Sequence, residues 1–137
     1  MKRSFAGIVG ILVFAGVLLA FSLPSFSQES NELSVAEGKI CIDVVNRECI
    51  NANTRFASPV EKLYCFTRIV GAVTPTSVTH VWYFGDKERA RVTLKVGSPN
   101  WRTYSSKIIL PHEIGEWHVN VLGPDGKLLM VIPFEIY

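Results

Sequence analysis

The side chains in this 137-residue chain that could do chemistry are three histidines, three cysteines and a Ser105-Ser106-Lys107 run. His80, His112 and His118 lie in separate segments, and none stands at a metal-ligand spacing from a Cys or a carboxylate. No metal site and no cofactor are therefore assigned. Ser105 and Lys107 have the residue types of a nucleophile pair. Activation would need a desolvated lysine against the hydroxyl and donors for an oxyanion. Along a strand Ser105 and Lys107 share one face while Ser106 points away, so adjacency in sequence does not make a shared site. There is no nucleophile elbow, phosphate loop or carboxylate pair, and no catalytic residue is assigned.

Binding chemistry is better represented. Trp82, Tyr83, Trp101, Arg102, Tyr104 and Lys107 combine flat apolar surfaces with hydrogen-bond donors, as glycan or peptide recognition requires. Trp82 and Trp117 fall in phase with apolar neighbours and are expected in the core. Trp101 follows the turn Gly97-Ser98-Pro99-Asn100 and is expected to be exposed. Arg102 and Tyr104 lie on the opposite face of that segment, where they could form a polar or cation–π stripe. The candidate binding set is Trp101, Arg102, Tyr104 and Lys107, together with His80. A purely structural role is the competing reading of these residues. His80 in particular shares a face with Val78, Trp82 and Phe84, where a histidine is more often packed and hydrogen-bonded than a ligand. Arg89, Arg91 and Lys95 read as a solvated strand face.

Three cysteines allow one intrachain bridge and a leftover thiol. Cys41–Cys49, Cys41–Cys65 and Cys49–Cys65 are all open. If Ile40, Ile42 and Val44 face the core, Cys41 turns to the other side of its strand. Tyr64 and Phe66 are likewise out of phase with Cys65. Pairing of the two strands would then set Cys41 opposite Cys65, and that bridge is favoured, with Cys49 free.

The elements that must position these groups are strands. Residues 89–96 alternate cleanly, with Ala90, Val92, Leu94 and Val96 on one face and Arg89, Arg91, Thr93 and Lys95 on the other. Trp117, Val119 and Val121 repeat the pattern. Strands are predicted at 36–45, 61–69, 78–84, 89–96, 101–110, 116–122 and 127–136. The breaks between them carry glycine and proline, which suit turns for defined backbone reasons. Pro133 cannot donate to a ladder, so the last strand should be bulged or at an edge there. Residues 46–57 have no periodicity and read as a loop. The fold class expected is all-β: an immunoglobulin-like antiparallel β-sandwich of about seven strands.

An N-terminal signal or anchor segment should precede it. Lys2 and Arg3 are followed by an uncharged apolar run over residues 5–21 and then Ser22, Pro24 and Ser25. Residues 1–27 are expected to be a signal peptide or an uncleaved membrane anchor, 28–34 a short polar tether and 35–137 the domain. The product should be exported, either periplasmic or held in the inner membrane facing the periplasm, touching membrane only through that segment. Of the 14 Lys and Arg, two lie in residues 1–27 with no acid. The remainder carries 12 basic and 12 acidic side chains. Such a neutral balance speaks against nucleic acid as a partner.

Leu63-Tyr64-Cys65-Phe66-Thr67, His80-Val81-Trp82-Tyr83, Ser105-Ser106-Lys107, Gly115-x-Trp117-x-Val119 and Phe134-x-Ile136, in this order, resemble the bacterial family known as domain of unknown function 2914. The resemblance extends over residues 35–137. It implies a small extracytoplasmic domain, often joined to membrane segments, with no established activity. After the first strand the family pattern would continue with Arg, an acid and Pro, whereas this chain has Arg47-Glu48-Cys49.

The functional expectation is a non-catalytic extracytoplasmic binding or assembly module that recognises an envelope protein or glycan. Its alternatives are a small hydrolase or metal-dependent enzyme using His80 with Ser105 and Lys107, and a purely structural ectodomain.

Overall fold

The computed structural model describes residues 7, 10, 15–24 and 32–137. The expected signal or anchor and most of the tether lie largely outside the described residues. Among those described, no helix is long and apolar enough to cross a membrane.

Ten strands follow in order: β1 (Ser34–Cys41), β2 (Asp43–Val45), β3 (Glu48–Ile50), β4 (Arg55–Phe56), β5 (Lys62–Val70), β6 (Thr76–Phe84), β7 (Lys87–Val96), β8 (Asn100–Ile108), β9 (Gly115–Leu122) and β10 (Leu128–Ile136). They form a three-stranded sheet in the order β1-β5-β8, a five-stranded sheet in the order β4-β10-β9-β6-β7, and the small β2-β3 hairpin. The chain crosses between the two large sheets after β4, β5, β7 and β8, and the long strands take the Greek-key partition of an immunoglobulin-like sandwich. The seven long strands expected from alternation all form. The three extra ones are two or three residues long, too short to leave a period of two.

Period-two patterning decides which side chains meet between the sheets. β5 turns Leu63, Cys65, Thr67 and Ile69 inward; β6 contributes Val78, His80 and Trp82; β9 contributes Trp117, Val119 and Val121. Phe134 on β10 is the aromatic hub. Its ring lies 6.1 Å from Trp82, 5.9 Å from Trp117 and 6.3 Å from Phe56, in edge-on and stacked arrangements that aromatic quadrupoles favour. Trp82 and Trp117 are both sealed in this core, as their phase predicts.

Pro133 sits opposite His118 of β9, while β4 pairs with β10 only at Glu135 and Ile136. On its other side Pro133 therefore has no strand neighbour, so a residue without an N–H costs no ladder bond there. Leu33, in the segment expected as a tether, packs on the core. Gly71 (φ +91°) permits this approach: a Cβ there would stand 2.4 Å from the Glu32 carbonyl oxygen.

Two expectations about the first strand are corrected. It does not run through to residue 45. The ladder with β5 ends at Cys41 opposite Tyr64, and the chain then folds into the β2-β3 hairpin. Ile42 is exposed and Val44 only half-buried, so of Ile40, Ile42 and Val44 only Ile40 reaches the core. Residues 46–57 are likewise not a plain loop, since they hold β3 and β4.

The favoured Cys41–Cys65 bridge is also corrected: Cys41 is joined to Cys49, and Cys65 is a buried thiol. Directly opposite residues share a face, and Cys65 stands opposite Ile40, not Cys41. Cys41 does turn to the outer face, as expected. Cys65 turns inward with Leu63 and Ile69, so the two thiols lie on opposite sides of the sheet. Burial pushes the Cys65 thiol well above its ordinary range and leaves it an inert core residue.

Candidate functional site

The sequence-derived site residues do not gather in one place. His80 is fully buried between the sheets. Its Nδ1 lies 2.7 Å from Ser105 Oγ on β8, and its Nε2 lies 3.0 Å from Thr67 Oγ1 on β5. The Trp82 indole N–H donates to the same Ser105 oxygen at 3.1 Å. With the indole as donor, the Ser105 hydroxyl proton can point at Nδ1, so that Nε2–H donates to Thr67. Burial holds the His80 pKa down at about 4, which keeps the ring neutral at pH 7.

A serine and a histidine in hydrogen-bonding contact are the start of a nucleophile–base pair. Here Ser105 is 5 % exposed and His80 is not exposed at all, so a substrate has no approach to either. Lys107 does not join them, because its Nζ donates to the Ile108 carbonyl at 2.8 Å. The arrangement is a satisfied polar tie between the two sheets. Among the described residues no group of three His, Cys, Asp or Glu could hold a metal ion.

The second place is the outer face of the three-stranded sheet. β8 is an edge strand, and its outward side chains include Arg102 and Tyr104. Across β5 the register sets Arg68 opposite Arg102 and Phe66 opposite Tyr104. Tyr64 and Tyr104 meet edge to face at 6.1 Å, and Lys62 Nζ stands 5.3 Å above the Tyr64 ring. The cation–π contact on this face is made by Lys62 and Tyr64, whereas Arg102 and Tyr104, the pair expected to form such a stripe, make none among the described residues.

Trp101 corrects an expectation. It faces inward and is half-buried, with its six-membered ring against Gly97, where a Cβ would lie 3.0 Å from two of its atoms. The turn before it folds back under the ring, so only part of the indole reaches solvent. Arg89 is a second correction. A bulge opposite Trp82 and Tyr83 makes it the extra residue of β7 and turns it to the buried Glu113 carboxylate, with which it pairs. Glu113 also accepts from the Leu110 amide at 2.9 Å, and its carbonyl accepts from the Trp117 indole at 3.0 Å.

What the sequence reading missed on this face is Arg47. Asn46 and Arg47 form the two-residue turn of the β2-β3 hairpin, both with positive φ (51° and 61°). A turn of this hand favours Asn first and Gly second. Asn46-Arg47 meets the first preference only, so the hairpin signal is weak. The Cys41–Cys49 bridge holds the hairpin beside β1, and Arg47 thereby lines two hollows together with Arg102. One, of about 260 Å³, is also walled by Glu37, Lys39, Glu48 and Phe66. The other, of about 280 Å³, is lined by Asn46, Arg47, Ser98, Asn100, Trp101 and Arg102.

Charge is unevenly shared here. Glu37 is paired with Lys39 and lies 3.7 Å from Arg68 Nε. The Lys39 hydrogen bond holds its carboxyl below the usual range, with Arg68 and Arg102 adding attraction. Arg47 and Arg102 make no ion pair among the described residues. Of the five candidate binding residues, then, Arg102 and Trp101 border one hollow and Tyr104 shares Arg102's face. Lys107 and His80 are elsewhere.

Fold and face together define an immunoglobulin-like sandwich with an open polar surface on its smaller sheet. Residues 75–136 match the model of the family described as "Protein of unknown function (DUF2914)", in line with the resemblance read from the motifs. The match covers β6 to β10 and leaves out the part of residues 35–137 that carries the hairpin and all three cysteines. No curated protein matches the chain.

Proposed function

We propose that this chain is a non-catalytic extracytoplasmic module that binds an envelope protein or glycan through the outer face of its three-stranded sheet. The observation that carries the reading is the exposed array of Tyr104, Arg102 and Arg47 beside two polar hollows. The Ser105–His80 contact, in contrast, is sealed from solvent and already satisfied. Export is supported by the basic-apolar-small order of residues 1–27 and by a disulfide, which persists in oxidising compartments. The protein would then be periplasmic or held at the inner membrane by its N-terminal segment.

Envelope cross-linking from a photoreactive side chain at Ser106, a neighbour of Tyr104 on the exposed face, tests the reading. A discrete adduct that disappears in Arg102→Ala or Tyr104→Ala is expected. Recovery of no specific protein or glycan would count against it.

A further inference from the structure

We infer that the hollow between Arg47 and Arg102 is a subsite for an acidic saccharide, its carboxylate held by the two guanidinium groups. The inference rests on the binding-module reading and names its ligand class. Three observations carry it. First, the lining of this hollow holds two arginines and no carboxylate, and neither arginine has an ion-pair partner among the described residues. A planar guanidinium fork matches a carboxylate with two parallel hydrogen bonds. Second, the rest of the lining is what a sugar ring requires. Asn46 supplies a side-chain amide for its hydroxyls, and Asn100 keeps its amide N–H groups while its Oδ1 accepts from Arg68. Ser98 Oγ can still accept although it donates to the Asn100 carbonyl, and the uncovered part of Trp101 supplies a flat apolar wall. A bare inorganic anion would use the arginines and leave these unused.

Third, Arg47 stands at a tight two-residue turn. Its φ of 61° lies in the left-handed region, where a non-glycine residue is strained. Glycine would relieve the turn and remove the guanidinium. The Cys41–Cys49 bridge fixes the hairpin that presents it, so the two arginines face the hollow without first ordering a loop. Glu48, on the rim of the adjoining hollow, can accept hydrogen bonds from sugar hydroxyls.

Isothermal titration of the full-length chain at low salt tests this with trigalacturonate and a glucuronate-containing tetrasaccharide as acidic probes. Neutral galactotriose and tetraglutamate serve as the comparisons. At least one acidic saccharide should bind, galactotriose at least tenfold more weakly, and Arg47→Ala and Arg102→Ala should each weaken binding tenfold or more with an unchanged circular dichroism spectrum. Arg47→Lys should restore less than half of the lost affinity, because a point charge does not reproduce the fork. Absence of binding by both acidic probes overturns the inference, as does equal binding of galactotriose. Tighter binding of tetraglutamate also overturns it, in favour of an acidic peptide. If the saccharides fail while the Ser106 cross-link to envelope material persists, the ligand class falls and the binding module stands; if both fail, both fall.

Discussion

His80 Nδ1 lies 2.7 Å from Ser105 Oγ, and this contact spans the sandwich from the five-stranded to the three-stranded sheet. Thr67 and Trp82 complete it, so each polar atom of the imidazole has a partner in an otherwise apolar core. A buried polar group with its partners in place specifies how two sheets sit against each other, and its loss leaves other groups unsatisfied.

The neutral state of His80 makes this contact acid-sensitive. Its folded pKa, about 4, lies below the ordinary value of 6.5, so the unfolded chain binds the proton more tightly. The stability it contributes is fully present above pH 6.5 and is lost as pH falls towards 4. At pH 4.5 that loss amounts to roughly 2–3 kcal/mol, at about 1.4 kcal/mol per pH unit. Urea titrations at pH 7 and 4.5 should show it in the native chain and not in His80→Gln. Equal pH slopes in the two proteins would place the acid sensitivity elsewhere.

The Arg89–Glu113 pair should behave as a buried ion pair with one partly solvated partner. Arg89→Ala strands the Glu113 carboxylate inside and should cost about 3–5 kcal/mol. Glu113→Gln keeps an oxygen for the Leu110 amide and leaves Arg89 able to reach water, so its cost should be clearly smaller. Chemical denaturation of both variants checks the order, and a reversed order would contradict the burial assigned to Glu113.

Peptide mapping without reduction should recover Cys41 linked to Cys49, with Cys65 protected from alkylation until the chain is unfolded. Cys41→Ser with Cys49→Ser removes a short loop closure and should cost about 2.5 kcal/mol by the chain-entropy arithmetic. It should also weaken saccharide binding, because Arg47 is then presented on an untethered hairpin. A linked Cys65 peptide would refute the register described for β1 and β5.

The three tryptophans and Arg102 should separate by burial. Trp82→Ala and Trp117→Ala empty the core and should cost about 3–5 kcal/mol each. Trp101→Ala, at the core's edge, should cost less than either but remain measurable. Arg102→Ala should stay within about 0.5 kcal/mol of the native chain, as substitutions on an exposed surface do. Thermal melts give this ranking, and an unfolded Arg102→Ala would mean that the polar face is structural.

Alternation along residues 89–96 and 117–121 and the glycine and proline breaks made the long strands, their inner faces and the burial of Trp82 and Trp117 readable from the amino-acid order. That is possible because the face a side chain takes within a strand is a local property with a period of two. The same period placed Arg102 and Tyr104 together. It failed at Arg89, where a bulge adds one residue and reverses the phase, and for residues 46–57, whose strands are too short to show a period. Which residue of a neighbouring strand stands opposite a given one depends on contacts far along the chain. Only the tertiary structure therefore decided that Ile40 faces Cys65, that Cys41 bridges to Cys49, and that the hairpin so tethered brings Arg47 to the same hollow as Arg102.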